Sequence, residues 1–145
     1  MFIGEYQHNL DTKGRITMPS KFREELGNTF YITKGMDGCL FVFPEEEWIE
    51  MDKKIKGLRL SRKDARGIAR LFYAGAIDVS LDKMGRVLLP GNLREYASLN
   101  KEAIVIGVSS RVEIWDKDRW QSYNDDEDFN YDMLTESMAD LDIDF

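Results

Sequence analysis

An alternation of apolar and polar residues, interrupted by a tight turn, occurs twice along the chain. Ile77, Val79 and Leu81 are separated by polar residues, and this period of two predicts a strand with one buried face. The aligned segment 5–10 is predicted to form the same strand in an earlier copy. In each copy there follow an Asp, a Gly three residues later and a short apolar run that ends at proline. The pattern therefore predicts strand, turn and strand, with the first copy's second strand at 15–18.

Helical spacing follows the first of these units. Pro19 suits the first position of a helix, because its ring fixes a helical φ. Phe22 and Leu26 lie four residues apart and so share one face of that helix. Gly27 is a typical residue at which such a helix ends.

A hairpin and a second helix complete the first copy. Residues 31–33 and 40–43 are predicted to be the strands of a hairpin around Asp37-Gly38, a dipeptide that favours a hairpin turn. Glutamates at 45–47 indicate a helix start, since acidic side chains stabilise the positive end of the helix dipole. Two apolar residues of this helix are predicted to face inward, Trp48 and Met51. The second copy repeats the plan, with a helix from Pro90, strands at 103–107 and 112–115, and a helix from Asp116.

A basic segment joins the two copies. Residues 52–60 are predicted to be a connector, and Ser61 with Asp64 resembles a capping box in which Asp replaces the usual Glu. The helix that begins there is predicted to run to about Tyr73. Its apolar stripe comprises Ala65, Ile68, Ala69 and Phe72.

The two copies are related residue by residue. Five residues recur at an offset of 71, where Leu10, Asp11, Gly14, Arg15 and Pro19 match Leu81, Asp82, Gly85, Arg86 and Pro90. The pair Arg23-Glu24 likewise matches Arg94-Glu95, and at an offset of 72 Trp48 matches Trp120. This period is too long for a solenoid, so the chain is interpreted as two copies of one small module.

Composition narrows the class of protein. The chain of 145 residues is 43% hydrophobic, and no run of it approaches the roughly 18 apolar residues of a membrane span. The N-terminus lacks the basic flank and apolar core of a signal peptide. A single cysteine, Cys39, excludes an internal disulfide framework. These features predict a cytoplasmic protein without a membrane partner.

The net charge of −7 is concentrated at the C-terminus. Nine of the 27 acidic residues lie in 124–145, which has no Lys or Arg, so the rest of the chain has 18 acidic and 20 basic residues. A mildly basic body suits an anion-binding protein better than the whole-chain charge suggests. The acidic segment is predicted to be mostly disordered, with one weak helical turn.

The duplicated turn has chemistry suited to DNA. The planar guanidinium of Arg can donate two parallel hydrogen bonds to a phosphate or to the O6/N7 edge of guanine, and Lys supplies a compact charge for phosphate. The candidate residues for contact with DNA or another polyanion are Lys13, Arg15, Lys83 and Arg86. The Asp and Gly residues are predicted to shape the turns, namely Asp11, Gly14, Asp82 and Gly85. The copies differ at the tip, because Lys13 precedes Gly14 whereas Met84 precedes Gly85.

The segment Leu-Asp-Thr-Lys-Gly-Arg-Ile-Thr-Met-Pro at 10–19, with its second copy at 81–90, resembles the MraZ family of bacterial transcriptional regulators. Each half is also similar to the AbrB/SpoVT swapped-hairpin DNA-binding module. The resemblance covers residues 1 to about 123. It implies an α+β fold in which two tandem AbrB/SpoVT-like modules form a pseudo-dimeric β-barrel with flanking helices. The expected divisions are module one at 1–52, the connector and helix at 53–73, module two at 74–123 and the acidic tail at 124–145.

The resemblance also implies a function. Similar proteins form octameric or dodecameric rings, associate with the nucleoid and bind repeated boxes in double-stranded DNA. They repress the division and cell wall gene cluster, including their own promoter. The basic residues of the Asp-x-x-x-Arg motif, here Asp11 to Arg15 and Asp82 to Arg86, are those that contact DNA in the family.

Other readings of the same residues remain open. Without the resemblance, the motif is an ordinary turn with a salt bridge. The runner-up function is a ring-forming interaction protein whose turns bind protein carboxylates. The basic run at 53–70 is either a second DNA surface, a solvated helix face or a surface that pairs with acids of a neighbouring subunit. The acidic tail is read as a solubilising end, with DNA mimicry or control of self-association as the alternatives.

No catalytic site is predicted. One His, one Cys, no Gly-rich phosphate loop and no metal-spaced cluster leave few ways to build one, so neither a cofactor nor a small-molecule substrate is expected. His8 is predicted to be a partly buried structural residue and Cys39 an unreactive thiol. The two matched tryptophans are predicted to pack in the core.

Overall fold

The computed structural model describes residues 1–143. Fourteen helices and strands and one 3-10 turn follow each other in this order: β1 (Phe2–Asn9), β2 (Arg15–Thr17), α1 (Ser20–Leu26), β3 (Phe30–Lys34), β4 (Leu40–Pro44), α2 (Glu45–Lys56), α3 (Lys63–Ala74), β5 (Ile77–Val79), β6 (Arg86–Leu88), α4 (Gly91–Tyr96), β7 (Glu102–Ser109), β8 (Arg111–Asp116), α5 (Lys117–Asn124), α6 (Tyr131–Glu136) and a 3-10 turn at Ala139–Leu141.

The two copies exchange strands. The main sheet is antiparallel with the order β1-β7-β8-β4-β3-β5. The first strand of the first copy, β1, pairs with β7 of the second copy, in a register that runs from Phe2↔Ser109 to Asn9↔Glu102. In return, β5 of the second copy pairs with β3 of the first. Each copy therefore completes the sheet of the other.

The second strands of the two turn units also pair with each other. β2 and β6 form a separate antiparallel ribbon in which Ile16 lies opposite Val87. Both side chains are buried, so the ribbon is anchored to the protein interior at its central pair. We call this pair of strands the ribbon.

The α+β class and the exchange of hairpins agree with the sequence expectation, but a closed barrel is not found. Within residues 1–143 the main sheet ends at β1 on one side and at β5 on the other, and the ribbon is a separate two-stranded unit. β5 has only three residues, which limits the pairing that its outer edge could offer.

The central strands are buried on both faces. On β4, Leu40 and Val42 pack into the core beneath the ribbon, α1 and α4, whereas Phe41 and Phe43 pack against α2 and α3 on the other side. A strand covered on both faces is a continuous apolar run without alternation. The run of residues 40–43 has this pattern because two cores meet there.

The matched tryptophans pack on the second of these cores. Trp48 stacks between Tyr31 and Phe72, with ring centroids 4.8 Å apart on each side. Trp120 lies against Trp115, with centroids 5.1 Å apart. The core role predicted for both tryptophans is confirmed.

Two features of the predicted helices are corrected. Pro19 is the N-cap of α1 and not its first residue, since its ψ of 134° is not helical; Pro90 has the same place before α4. The end of α1 at Gly27, with φ of 76°, is as predicted. The connector predicted at 52–60 is helical up to Lys56, because α2 extends that far.

The capping box predicted for α3 is absent. The N-cap is Arg62, no side chain caps the helix, and the carboxylate of Asp64 instead accepts hydrogen bonds from the Arg62 side chain and from the Ala65 amide. Ala65 and Phe72 are buried as predicted, but Ile68 is 51% exposed and does not belong to the inward stripe.

The acidic C-terminal segment has local structure of its own. Asn130 caps α6 by accepting a hydrogen bond from the Met133 amide at 3.0 Å, and the 3-10 turn follows. None of residues 124–143 is buried. The last two residues of the segment, 144 and 145, lie outside the described residues.

Candidate nucleic-acid interface

The first turn, residues 11–15, is held together by one carboxylate. Asp11 Oδ1 accepts hydrogen bonds from the backbone amides of Lys13 and Arg15, each at 2.9 Å. Asp11 Oδ2 accepts from Arg15 Nε at 2.6 Å. The backbone closes the loop, since the Asp11 amide donates to the Arg15 carbonyl at 2.9 Å. An Asp side chain that satisfies nearby amides in this way is what stabilises a turn.

The second turn, residues 82–86, repeats these contacts. Asp82 Oδ1 accepts from the amides of Met84 and Arg86 at 2.9 Å each, and Asp82 Oδ2 accepts from Arg86 Nε at 2.9 Å. The Asp82 amide donates to the Arg86 carbonyl at 2.8 Å. Asp82 thus makes in the second turn the same contacts that Asp11 makes in the first.

Both aspartates are stabilised in their charged form. The pKa of Asp11 is lowered, chiefly by the backbone hydrogen bond from Arg15 and then by the side-chain contact with the same residue. The pKa of Asp82 is lowered in the same way by Arg86. A carboxylate that accepts several N–H groups favours ionisation. At neutral pH each arginine is consequently held in one direction by a charged partner.

Glycine is required at one position of each turn. Gly14 and Gly85 have φ of 85° and 75°, in the left-handed region that disfavours a side chain. Both glycines are buried, and their carbonyls accept hydrogen bonds from the opposite copy: Leu89 donates to Gly14 at 3.0 Å and Met18 to Gly85 at 2.9 Å. These bonds extend the ribbon to the bases of both turns.

The ribbon brings the two turns to the same surface. Arg86 Nη1 lies 3.9 Å from Asp11 Oδ2, so the second arginine also approaches the first aspartate. The side chains of Arg15 and Arg86 are 29% and 25% exposed, which places them at the surface and not in the interior. Lys13 and Lys83 are exposed. The four basic residues singled out from the sequence thus belong to one pair of adjacent turns.

The tips of the turns differ as the sequence indicates. Lys13 and Met84 occupy equivalent places, and each donates its backbone amide to the aspartate. The Met84 side chain is 67% exposed. The first tip therefore presents an ammonium where the second presents a thioether.

Two further arginines lie at the turns, and the sequence reasoning did not assign them a role. Arg23 of α1 donates from Nε to the Met18 carbonyl at 2.9 Å, and Arg94 of α4 donates from Nε to the Leu89 carbonyl at 3.0 Å. The repeat itself was the available signal, because Arg23-Glu24 matches Arg94-Glu95. We call Arg23 and Arg94 the crossing arginines.

The basic run at 53–70 is partly neutralised within the chain. Lys56 pairs with Asp52 at 3.0 Å and Arg62 with Asp64 at 2.8 Å. Arg66 donates to the carbonyls of Leu60 and Ser61. These contacts hold part of the run on the surface of α2 and α3.

The remaining candidate residues have structural surroundings. His8 is half-buried on β1, and the pKa of its imidazole is lowered by burial and then by the charge of Arg23. Cys39 is buried and donates from Sγ to the Met36 carbonyl at 3.1 Å; burial raises the pKa of its thiol. Since the thiolate is the reactive form, this cysteine is a poor nucleophile at neutral pH.

Neither a metal cluster nor a membrane span is found in residues 1–143: no group of three His, Cys, Asp or Glu side chains could hold an ion, and no helix is long and apolar enough to cross a bilayer. A groove lies between α1 and the start of α2. Four glutamates line it, Glu25, Glu45, Glu46 and Glu47, without a histidine, a cysteine or a basic side chain.

Comparison with known proteins identifies the relationship. The family described as "MraZ protein, putative antitoxin-like" matches the chain twice, over residues 1–71 and 72–142. The chain belongs to the MraZ family. The resemblance drawn from the doubled turn motif is thus confirmed, and the two MraZ repeats meet inside α3.

Individual MraZ proteins match along their whole length. A protein of Moorella thermoacetica is 54% identical over 143 residues, which cover 99% of this chain and 100% of the relative. A protein of Clostridium acetobutylicum is 56% identical with the same coverage, and one of Desulforamulus reducens is 52% identical over 141 residues, covering 97% of this chain and 99% of the relative. All three are named transcriptional regulator MraZ, a name that describes regulators and not enzymes.

Proposed function

We propose that this chain is a sequence-specific DNA-binding transcription regulator that acts through its two turns. The observation that carries the proposal is the pair of adjacent, similarly braced turns, each of which presents a partly exposed arginine from a rigid ribbon. The names of the MraZ relatives support the regulatory role.

The geometry suits contact with DNA. In each turn the aspartate engages Nε of the arginine, and the terminal amines are the part of the guanidinium that can reach a phosphate or a guanine edge. Because the side chain is already held in one direction, less conformational entropy is lost on contact. The proposed DNA-contacting residues are Lys13, Arg15, Lys83 and Arg86.

One pair of turns supplies only a few contacts. Specific binding is typically ~10³–10⁷ tighter than non-specific binding, which is more than two turns provide. A ring of identical subunits on repeated DNA boxes adds the rest, since each further contact is made at a high effective concentration. Assembly into an octameric or dodecameric ring is therefore part of the proposed mechanism.

From the family resemblance we further propose that the chain represses the division and cell wall gene cluster, including its own promoter. It is proposed to lie in the cytoplasm in association with the nucleoid and to form an AbrB/SpoVT-like pseudo-dimeric barrel. The division into modules at 1–52 and 74–123, with a connector and an acidic tail, belongs to the same proposal.

Gel shifts with the chain's own upstream DNA at graded salt test the function. We expect that Arg15→Ala with Arg86→Ala weakens binding by about 100-fold or more, because a well-placed arginine contributes ~1–3 kcal/mol. The matched variant Arg59→Ala with Arg70→Ala removes the same charge from exposed positions of the basic run. It is expected to cost several-fold at most.

Three outcomes of the gel shifts would contradict the proposed function. If the second variant loses as much affinity as the first, the turns are not the main DNA surface. If the turn variant binds as the wild type does, the turns do not contact DNA. If the wild-type protein binds no DNA under any salt condition while it still forms rings, the interaction-protein alternative replaces the proposal.

A further inference from the structure

Each crossing arginine reaches the turn of the other copy. Arg94 belongs to the second copy, yet its side chain lies over Gly14 of the first turn, where an added Cβ would be only 2.8 Å from its Nε and Cζ atoms. Arg23 belongs to the first copy and lies over Gly85 of the second turn, where an added Cβ would overlap its guanidinium. The crossing arginine thus occupies the space that a side chain at each glycine would take.

The Nε atom of each crossing arginine is engaged, but the terminal amines are available. Nε donates to a backbone carbonyl of its own copy, at Met18 for Arg23 and at Leu89 for Arg94. No hydrogen bond or ion pair within residues 1–143 involves the terminal amines of either residue. Both side chains are half-buried, so they are anchored at the base and partly open to solvent.

The crossing arginines differ from the arginines of the motif in whether a carboxylate pairs with them. Arg15 and Arg86 each form an ion pair with an aspartate of their own turn. No carboxylate of the described residues lies within ion-pairing distance of Arg23 or Arg94. The motif arginine is therefore largely offset by its aspartate, whereas the crossing arginine contributes an uncompensated positive charge at the same turn.

We propose that each turn and the arginine that reaches it from the other copy form one composite site for a phosphate of the DNA backbone. The first site combines Lys13 and Arg15 with Arg94, and the second combines Lys83 and Arg86 with Arg23. This proposal rests on the proposed DNA-binding function and assigns two additional ligands to it. A site built from both copies makes the strand exchange of the fold necessary for binding.

The salt dependence of DNA binding distinguishes a crossing arginine that binds phosphate from one that only supports the turn. Replacing Arg23 or Arg94 by Gln removes the charge and keeps a side-chain donor for the carbonyl. Because the crossing arginine shares its phosphate with the turn residues, we expect each substitution to reduce the slope of log K against log salt by up to ~0.9. Melting temperature and ring mass are measured alongside. A residue that only supports the turn would lower affinity and melting temperature and leave the slope unchanged, and this result would overturn the inference.

The cross-copy pairing has its own test. Arg94→Gln is combined with Lys13→Gln, which belongs to the same proposed site, and with Lys83→Gln, which belongs to the other. We expect the first pair to lose less affinity than the product of the two single losses and the second pair to equal the product, because only residues that share a phosphate are coupled. Equal behaviour of the two pairs overturns the composite site.

Charge-retaining variants and the Arg15→Ala with Arg86→Ala variant serve as controls for the composite site. If a Gln variant fails to fold, Arg94→Lys and Arg23→Lys retain the charge, and the inference then requires a slope equal to that of the wild type. If Arg15→Ala with Arg86→Ala abolishes binding while the Gln variants leave the slope unchanged, the inference fails and the proposed function stands. Absence of binding by the wild-type protein overturns both.

Discussion

The two turns share a scaffold but differ in the side chains that they present. In both, an aspartate accepts from two amides and one arginine, and a glycine with positive φ completes the reversal. The residue before that glycine is Lys13 in one turn and Met84 in the other. The scaffold depends on three residue types at fixed spacing, and the tip contributes only its backbone amide to it. The tip is therefore free to vary without loss of the turn.

The scaffolds are not wholly symmetric either. Asp11 lies near both arginines, at 2.6 Å from Arg15 Nε and 3.9 Å from Arg86 Nη1. In the part of the chain that the structure describes, Asp82 pairs with Arg86 alone. The first turn thus also influences the arginine of the second.

The largest expected effect comes from filling the glycine positions. Gly14→Ala and Gly85→Ala each force a side chain into the left-handed region and against a crossing arginine, so we expect a loss of about 1–3 kcal/mol in the free energy of unfolding. Gly85→Ala should cost more, since its Cβ would overlap Arg23 more closely. Urea unfolding at fixed protein concentration measures both.

A third glycine provides the control. Gly67 lies inside α3, and a Cβ there would have no neighbour within 4 Å. Gly67→Ala is expected to stabilise the protein by up to ~1 kcal/mol, because alanine is the better helix former. If Gly14→Ala is no more destabilising than Gly67→Ala, the positive φ and the packing of Arg94 do not restrict the turn.

A smaller effect is expected from exchanging the tips. Lys13→Met makes the first tip like the second and should reduce the salt slope of DNA binding by ~0.9 if that lysine meets one phosphate. Met84→Lys should increase the slope by a similar amount. Between 50 and 200 mM salt, each change amounts to roughly three- to fourfold in affinity. Fluorescence anisotropy with labelled promoter DNA measures this.

The variant that carries both exchanges is the matched control for the tips. It has the same charge as the wild type and is expected to restore the original slope. If Lys13→Met lowers the salt slope but Met84→Lys leaves it unchanged, the second tip does not reach the DNA backbone.

The smallest effect concerns acid stability. The pKa values of Asp11 and Asp82 are lowered in the folded protein, so their contribution to stability is present above the ordinary Asp value of about 3.9 and is lost as the pH falls through the folded values. Asp11→Asn with Asp82→Asn should therefore melt at a lower temperature than the wild type at pH 7, and the difference should shrink below about pH 4.

A carboxylate outside the turns tests the cause of this pH dependence. Glu24 is exposed on α1 and has no hydrogen-bonding partner among residues 1–143. Glu24→Gln is expected to leave the difference between pH 7 and pH 3 as in the wild type. Should it reproduce the effect of the double Asn variant, general charge and not the turn geometry would be the cause.

Local patterns were sufficient to predict the turns and most of the elements. The hairpin at Asp37-Gly38 and the end of α1 at Gly27 depend on residues that adopt positive φ, which the sequence reveals directly. The predicted start of α3 was wrong because the capping-box pattern does not consider other donors near the acidic residue. The Asp64 carboxylate accepts hydrogen bonds from the Arg62 side chain instead. Ile68 fits a helical stripe, yet its position faces away from both cores.

Pairing between the copies could not be derived from periodicity. An alternating pattern shows that β1 and β5 have a buried face, but not which strands lie beside them; only the family resemblance supplied the exchange. The crossing arginines show the same limit at the site. The repeat marks Arg23 and Arg94 as equivalent, whereas their position over the glycine of the opposite turn follows from the folded chain alone.

The pairing of β1 with β7 has a consequence for biosynthesis. Phe2 is translated before its partner Ser109, which follows roughly a hundred residues later along the chain. Until β7 is made, β1 lacks the strand with which it pairs in the folded protein. Completion of the native state must await the last strands, and a chain released early would expose edges available to other polypeptides.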